Sequence, residues 1–223
     1  MKVDKKKLNK DYFQKRNLND ELRMKAFNAE KSLVKKYISS GNILDVGCST
    51  GEMIDYYNWR GDRYGMEIVE YAIEEAKKRG ISFDKDLTNT ENFFDVIIFR
   101  GTIQHVDTPF LYIKNAMKAL KPNGFLIFLA TPNADSIYFK IWKTLPFLDM
   151  PSVTYYIPHE KWFIQAVENY GFLLKEKRFP YLSSPYSRPV MDHIKFFLKL
   201  LGFKTSFPFW RNSMELIFQK PSD

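Results

Sequence analysis

Cysteine, histidine and long apolar runs are all scarce in this chain. A single cysteine, Cys48, stands among 223 residues, so no disulfide can form within the chain and a bridged scaffold is excluded. That usage fits a reducing compartment, and a cytoplasmic location is expected. The three histidines and one cysteine show no metal-ligand spacing, so no metal site is expected. No apolar run reaches the roughly 18–20 residues of a membrane-spanning helix, and MKVDKKKLNKDYF has no apolar core of a secretory signal. Acidic side chains are in the minority, 26 against 34 Lys and Arg, for a net charge of +8. Such a balance suits nucleic acid, acidic lipid or phosphorylated compounds as partners. The cations are spread along the chain, with small clusters at Lys5–Lys7, Lys35–Lys36 and Lys77–Arg79, and no RNA-binding signature accompanies them. Nucleic acid is therefore not expected. A solvated basic surface, or a phosphate-bearing or membrane-linked substrate, remains.

Aromatic residues are plentiful, at 17% with 20 Phe and 13 Tyr. Such rings fill cores and line pockets. Apolar periodicity predicts a helix over residues 19–39, stopped by Ser40-Gly41-Asn42. A short strand, NILDVG, follows, then a helix over 52–57, a strand over 63–68, a helix over 69–79 and a short third strand, Ile81–Phe83. FFDVIIF (93–99) and FLIFLAT (125–131) are apolar on both faces, as strands in the middle of a covered parallel sheet are. Between them runs a helix from Pro109 to Leu120. This alternation predicts a doubly wound α/β architecture. Beyond Pro132 the expectation is a short helix over 137–145, an amphipathic helix over 159–170, a strand FLLKEKRF, a second amphipathic helix over 189–201 and a last strand SMELIFQK. No repeat or linker interrupts this order. One domain over residues 1–223 is expected, with a helical cap at 1–40, a cofactor-binding core at 41–133 and an acceptor-side elaboration at 134–223.

The segment ILDVGCSTGEMI (43–54) holds the strongest chemical signal. A buried strand containing Asp45 runs into Gly47, and a helix starts behind Gly51. Glycine permits close approach of a ligand to the backbone, and a helix N-terminus offers unpaired N–H groups. The Gly-x-x-x-Gly spacing is neither the G-x-G-x-x-G of dinucleotide binders nor a P-loop, which weighs against a nucleotide-dependent oxidoreductase. Strand-to-helix turns also use glycines for purely structural reasons. Glu67 ends the second strand, 22 residues after Asp45, where a carboxylate can accept both hydroxyls of a ribose. Asp86 and Leu87 follow the third strand, and FRGTIQHV (99–106) leaves the fourth toward the same crevice.

In order and spacing, ILDVGCSTGEMI, GMEI, DKDL, FDVIIFRGTIQHV and LKPNGFLIFLATPN resemble the successive motifs of class I S-adenosylmethionine-dependent methyltransferases. The resemblance covers residues 42–133, and the last helix and strands extend it. It implies a Rossmann-like, doubly wound seven-stranded sheet ending in an antiparallel hairpin of FLLKEKRF and SMELIFQK, and S-adenosylmethionine as cofactor. It further implies that Gly47, Ser49 and Gly51 line the methionine part, with Asp45 and Cys48 also among the cofactor-binding residues, that Glu67 holds the ribose with Ile68 on the adenine, that Asp86 and Leu87 contact adenine, and that Arg100 offers its backbone to the amino group. Ser49 departs from the usual glycine, and the third-strand region is short.

The acceptor side is less legible. His105, in the loop leaving the fourth strand, and His159, ahead of EKWFIQAVENYGF, are the candidate general bases. Each has a bland alternative: His105 as a structural histidine bonded to backbone, His159 as a helix cap. His193 reads as surface or packing. The tail from Phe179 to Pro221 loosely resembles that of methyltransferases of bacterial surface-glycan pathways. In its helix, Val190, Met191, Ile194, Phe197, Leu198 and Leu201 share one face; a core cover, a homodimer contact, a lid and a peripheral membrane contact all remain open. The expected reaction is O-methylation of a sugar or glycan precursor, a small-molecule acceptor that carries a phosphate or lipid in some readings. Methylation of a lipid or quinone-like acceptor, and a non-catalytic cofactor-binding module, are the alternatives.

Overall fold

A computed structural model of the chain describes residues 13, 21–145, 154–206 and 212–222. Expectations that rest on Lys5–Lys7, on most of the first 20 residues of the helical cap and on parts of the C-terminal elaboration lie outside these residues. Six strands form one sheet: β1 (Ile43–Val46), β2 (Arg63–Met66), β3 (Phe94–Arg100), β4 (Leu120–Pro132), β5 (Leu173–Arg178) and β6 (Ser213–Gln219), in the order β2-β1-β3-β4-β6-β5. β1 pairs in parallel with β2 and β3, and β3 with β4; β6 runs antiparallel to both β4 and β5. The helices are α1 (Glu21–Tyr37), α2 (Glu52–Tyr57), α3 (Glu70–Lys78), α4 (Pro109–Ala119), α5 (Ile137–Trp142), α6 (Glu160–Glu168) and α7 (Pro189–Leu200).

Strand side chains alternate between the two faces of a sheet, and here both faces are apolar. Ile97, Phe99, Leu126, Phe128 and Phe218 point to one side, where Ile113 and Ala116 of α4 and Phe163 and Val167 of α6 cover them. Val96, Ile98, Ile127, Leu129 and Ile217 point to the other, under Phe27 and Val34 of α1 and Met53, Ile54 and Tyr57 of α2. The double burial explains why the middle strands read as continuous apolar runs. From β1 the chain moves to β2 on one side and returns to β3 on the other. The crevice where the order reverses lies at the carboxyl ends of β1 and β3, the place at which doubly wound sheets bind ligands.

One expectation needs correction. The seventh strand, Ile81–Phe83, is reduced to a single parallel bridge between Tyr64 and Ser82. Two backbone bonds hold it, Ser82 N–H to Arg63 O at 2.8 Å and Gly65 N–H to Ser82 O at 2.9 Å. Only Ile81, Ser82 and Phe83 separate Gly80 from Asp84, too few for a further register pair at this edge.

Candidate active site

The turn after β1 is built by backbone geometry. Gly47 has φ +79°, and a Cβ there would sit 2.5 Å from Thr102 Cγ2, so the glycine lets the β1 turn close onto the loop after β3. The Gly47 and Cys48 amides donate to Met66 O at 2.7 and 3.1 Å, which ties the turn to the end of β2. Ser49, at φ 53°, donates its amide to Glu67 Oε2 at 3.0 Å. Glu67 Oε1 accepts from the Ile68 and Val69 amides at 2.7 and 3.1 Å. Three of the roughly four lone-pair positions of this carboxylate are thus engaged. Gly51, at the start of α2, serves packing instead: a Cβ there would meet Ile81 Cδ1 at 2.4 Å and Ala76 at 3.3 Å, away from the crevice.

Three recesses follow one another along the carboxyl edge of the sheet. The first, of about 320 Å³, is walled by Gly47, Glu67, Ile68, Phe83, Asp86 and Tyr112. The second is a pinch of about 30 Å³ between Arg23 and Phe27 of α1 and Asp45, Gly47, Cys48 and Ser49 of the turn. The third, of about 280 Å³, lies between α1 and the segment after β5, and Glu30, Arg100, His105, Arg178, Tyr186 and Glu215 are among its walls. Gly47 borders the first two and Arg100 the last two.

Asp45 is 3% exposed and its Oδ1 has no hydrogen-bond partner. Burial pushes its pKa up to about 7, against the pull of Arg100 and with Glu67 and Glu30 adding to the rise. Such an anion, held beside a narrow recess, calls for a cation. S-adenosylmethionine, the cofactor that the motif resemblance implies, carries an ammonium on its methionine end and a ribose diol and adenine on the other. Asp45 fits the first, Glu67 the second, and Ile68, Phe83 and Tyr112 offer apolar contact to the third. The residues fit the group, with one reservation of space. The second recess is narrow, at about 30 Å³, and the Arg23–Glu52 ion pair, 2.8 Å long, lies on its wall.

The other sequence candidates are placed as follows. Asp86 borders the first recess, and its Oδ1 takes the Thr88 and Asn89 amides at 2.6 and 3.1 Å, an Asx turn. Leu87 is 3% exposed and belongs to the core beneath the recess. Cys48 is buried, and burial holds its thiol well above the usual range, so it packs rather than reacts. Arg100 does not border the first recess but the second and third: Nε donates to Glu30 Oε2 at 2.7 Å, and the guanidinium lies 4.7 Å from the Phe27 ring centre.

The two candidate bases do not meet. His105, in a 3-10 turn (Ile103–His105), borders the third recess. Gln104 Nε2 lies 3.0 Å from Gly101 O and 3.2 Å from His105 Nε2, so with the amide as donor, that ring nitrogen is the acceptor. His159 starts α6, is largely exposed, and pairs through Nδ1 with Asp135 Oδ1 at 3.3 Å. It borders a separate recess with Tyr155, Tyr156 and Trp162.

Sequence reasoning missed Glu30, Arg178 and Glu215. Arg178 Nε is 3.4 Å from Glu215 Oε2, and burial pushes Glu215 up to about 7 with Arg178 opposing. Both carboxylates had a signal. Glu30 sits on the buried stripe of α1 with Ala26, Phe27, Leu33 and Val34, and Glu215 interrupts an apolar strand; a charge in either place asks for a partner.

The comparisons agree with this geometry. A family model described as a methyltransferase domain matches residues 14–200. A phosphoethanolamine N-methyltransferase of Triticum aestivum is 29% identical over 171 residues, 69% of this chain and 31% of that protein. A ubiquinone biosynthesis O-methyltransferase of Bartonella bacilliformis is 28% identical over 163 residues, 68% of this chain and 61% of that protein. The chain thus spans 31% and 61% of these two relatives' lengths. An S-adenosylmethionine-dependent methyltransferase of Mesorhizobium loti superposes with a TM-score of 0.61 at 14% identity, over 92% of this chain and all of that one, a likeness of fold. With the family model spanning most of its length, this chain belongs to the methyltransferase-domain family.

Proposed function

We propose that the chain methylates a hydroxyl of a polar small molecule, of the sugar or glycan-precursor kind, held in the third recess. The observation that carries this reading is the composition of that recess. It abuts the cofactor side through Arg100, and its wall holds Glu30, Glu215, Arg178, Gln104, His105 and three serines. A polyol satisfies such donors and acceptors, whereas a quinone ring or lipid chain would leave them desolvated without partners.

When held by Asp45 and Glu67, S-adenosylmethionine would supply a sulfonium methyl carbon open to in-line attack by the acceptor oxygen, with the demethylated thioether as leaving group. Positioning contributes most to such a displacement. Glu215 and Glu30 accept hydrogen bonds from neighbouring hydroxyls and fix the acceptor's orientation. Arg178 and Arg100 hold those carboxylates in place. His105 takes the hydroxyl proton at Nε2 after the acceptor displaces the Gln104 amide. His159, on its separate recess, has no part in that step.

The test is a panel of hydroxylated acceptors, including free sugars, nucleotide sugars and catechols, with amines alongside. Methyl transfer from labelled cofactor and acceptor-dependent formation of the demethylated product are measured. Transfer to sugar hydroxyls is the expected result. Transfer confined to catechols or amines would overturn the acceptor class, and no acceptor-dependent turnover on a broad panel would favour a non-catalytic cofactor-binding module.

A further inference from the structure

The amphipathic helix α7 is mounted inside out. Its one buried residue is Asp192, 2% exposed, whose Oδ2 accepts from the Arg188 amide at 3.0 Å and the Tyr181 hydroxyl at 3.2 Å. Phe196 meets Trp142 of α5 edge-on at 5.3 Å, and Lys199 lies over the same ring at 5.9 Å. Asp192, Phe196 and Lys199 follow i, i+4, i+7 spacing and therefore form one face, which turns inward. The apolar stripe lies opposite. Val190 is 74% exposed, Phe197 59% and Leu201 74%, and Met191, Ile194 and Leu198 are also exposed between them. Leu182 before the helix and Phe203 after it extend the patch, at 77% and 60%. Scattered exposed apolar residues are ordinary, but a contiguous stripe of this kind marks a contact surface.

Charge decides what the stripe meets. From Tyr181 to Ser206 the sequence carries Arg188, Lys195, Lys199 and Lys204 against one acid, Asp192, and that acid is buried. With Lys199 on the inward face, Arg188, Lys195 and Lys204 remain to make the rim of the patch cationic, on a chain of net charge +8. Two copies packed face to face would bring like charges together. An anionic bilayer satisfies both features: the apolar face enters the acyl boundary while Lys and Arg meet the headgroups. The helix has 12 residues, roughly 18 Å at 1.5 Å per residue, and no described helix is long and apolar enough to cross a membrane. It can lie on a bilayer but not span one.

We infer that α7 is a membrane-surface anchor that seats this protein on anionic lipid through Val190, Ile194, Phe197 and Leu201. Residues 183–186, which lead into α7, also wall the third recess, so docking brings the mouth of that recess close to the headgroup layer. The anchor itself does not depend on which acceptor is bound.

Co-sedimentation of the full chain with vesicles tests the inference. One set is phosphatidylcholine alone and the other is phosphatidylcholine mixed with phosphatidylglycerol. Binding to the mixed vesicles is expected, with little on the neutral ones. It should weaken as salt shortens the Debye length from about 10 Å toward about 3 Å. Ile194→Glu/Phe197→Glu should lower binding at least about tenfold while cofactor affinity is unchanged. Where the glutamates disturb folding, Val190→Ser/Leu201→Ser, at the most exposed positions, gives the same readout. Absence of binding to mixed vesicles, or undiminished binding by both variants, would overturn the anchor. So would a dimer in light scattering that these variants convert to monomer, because the stripe would then belong to a second copy.

Discussion

Arg100 Nε donates to Glu30 Oε2 at 2.7 Å on the wall that separates the pinched recess beside Asp45 from the recess beside His105. The pair joins α1 to the end of β3, and the guanidinium also lies over Phe27. Its charge lowers the pKa of Asp45 against the larger effect of burial. Removing one partner of a buried pair strands the other. Glu30→Ala should therefore cost about 2–4 kcal/mol in urea unfolding, toward the lower part of the range for such losses because Arg100 keeps some solvent access. Arg100→Met should act on binding as well. With the cation gone, Asp45 rises further above 7 and is more fully protonated at neutral pH, so cofactor affinity at pH 7 should fall and recover in part at pH 9.

Asp45 itself predicts two opposed pH dependences. Its folded pKa of about 7 stands above the ordinary value near 3.9, so the folded chain holds this proton more tightly than the unfolded one. The resulting stability is full below about pH 4 and is lost as pH rises through 7. Glu215, also pushed to about 7, acts in the same direction. Ligand-free protein should therefore unfold more easily at pH 8 than at pH 5, and Asp45→Asn should remove about 1–3 kcal/mol of that difference. Cofactor binding should run the other way. A carboxylate that holds an ammonium must be ionised, so affinity should rise with pH through 7 and binding at pH 7 should release protons. Calorimetry in buffers of different ionisation enthalpy reads that release; a null result would remove Asp45 from the methionine site.

Glu67 carries a structural load that the sequence did not disclose. Its oxygens hold the Ser49, Ile68 and Val69 amides, so a ribose diol must take over at least one of those positions. Glu67→Gln should weaken cofactor binding by about 1–2 kcal/mol, the scale of a hydrogen bond to a charged group. Glu67→Ala should weaken it more and also lower stability by about 1–2 kcal/mol, because three amides lose their acceptor. Equal binding by wild type and both variants would exclude the ribose role.

Local signals carried the cofactor half of the site. Gly47, Glu67 and Asp86 lie within residues 47–86 at strand ends, and the apolar runs of β3 and β4 revealed strands covered on both faces. Long-range relations were not legible. Glu30 meets Arg100 70 positions away, and Arg178 meets Glu215 across paired strands; no local pattern ties these together. Periodicity found the apolar stripe of α7 but could not say which way it faced. That direction is set by Asp192 and Phe196 seated against Tyr181 and Trp142. A Cβ at Gly47 would strike Thr102, a long-range contact that no local pattern announced.

The last prediction concerns the proton. His105 borders the third recess and His159 does not, so the two histidines should separate cleanly in a mutational test. With an acceptor in hand, His105→Ala should lower turnover by roughly 100-fold or more, the contribution of a positioned general base, with cofactor affinity nearly unchanged. His159→Ala should leave turnover close to wild type and at most loosen the Asp135 contact at the start of α6. Gln104→Ala, which removes the amide beside His105 Nε2, should lower turnover without abolishing it. If His105→Ala keeps full turnover, the base is another group on the same wall. Glu215 is then the next to test, because its pKa of about 7 and its place in the recess meet the same requirement.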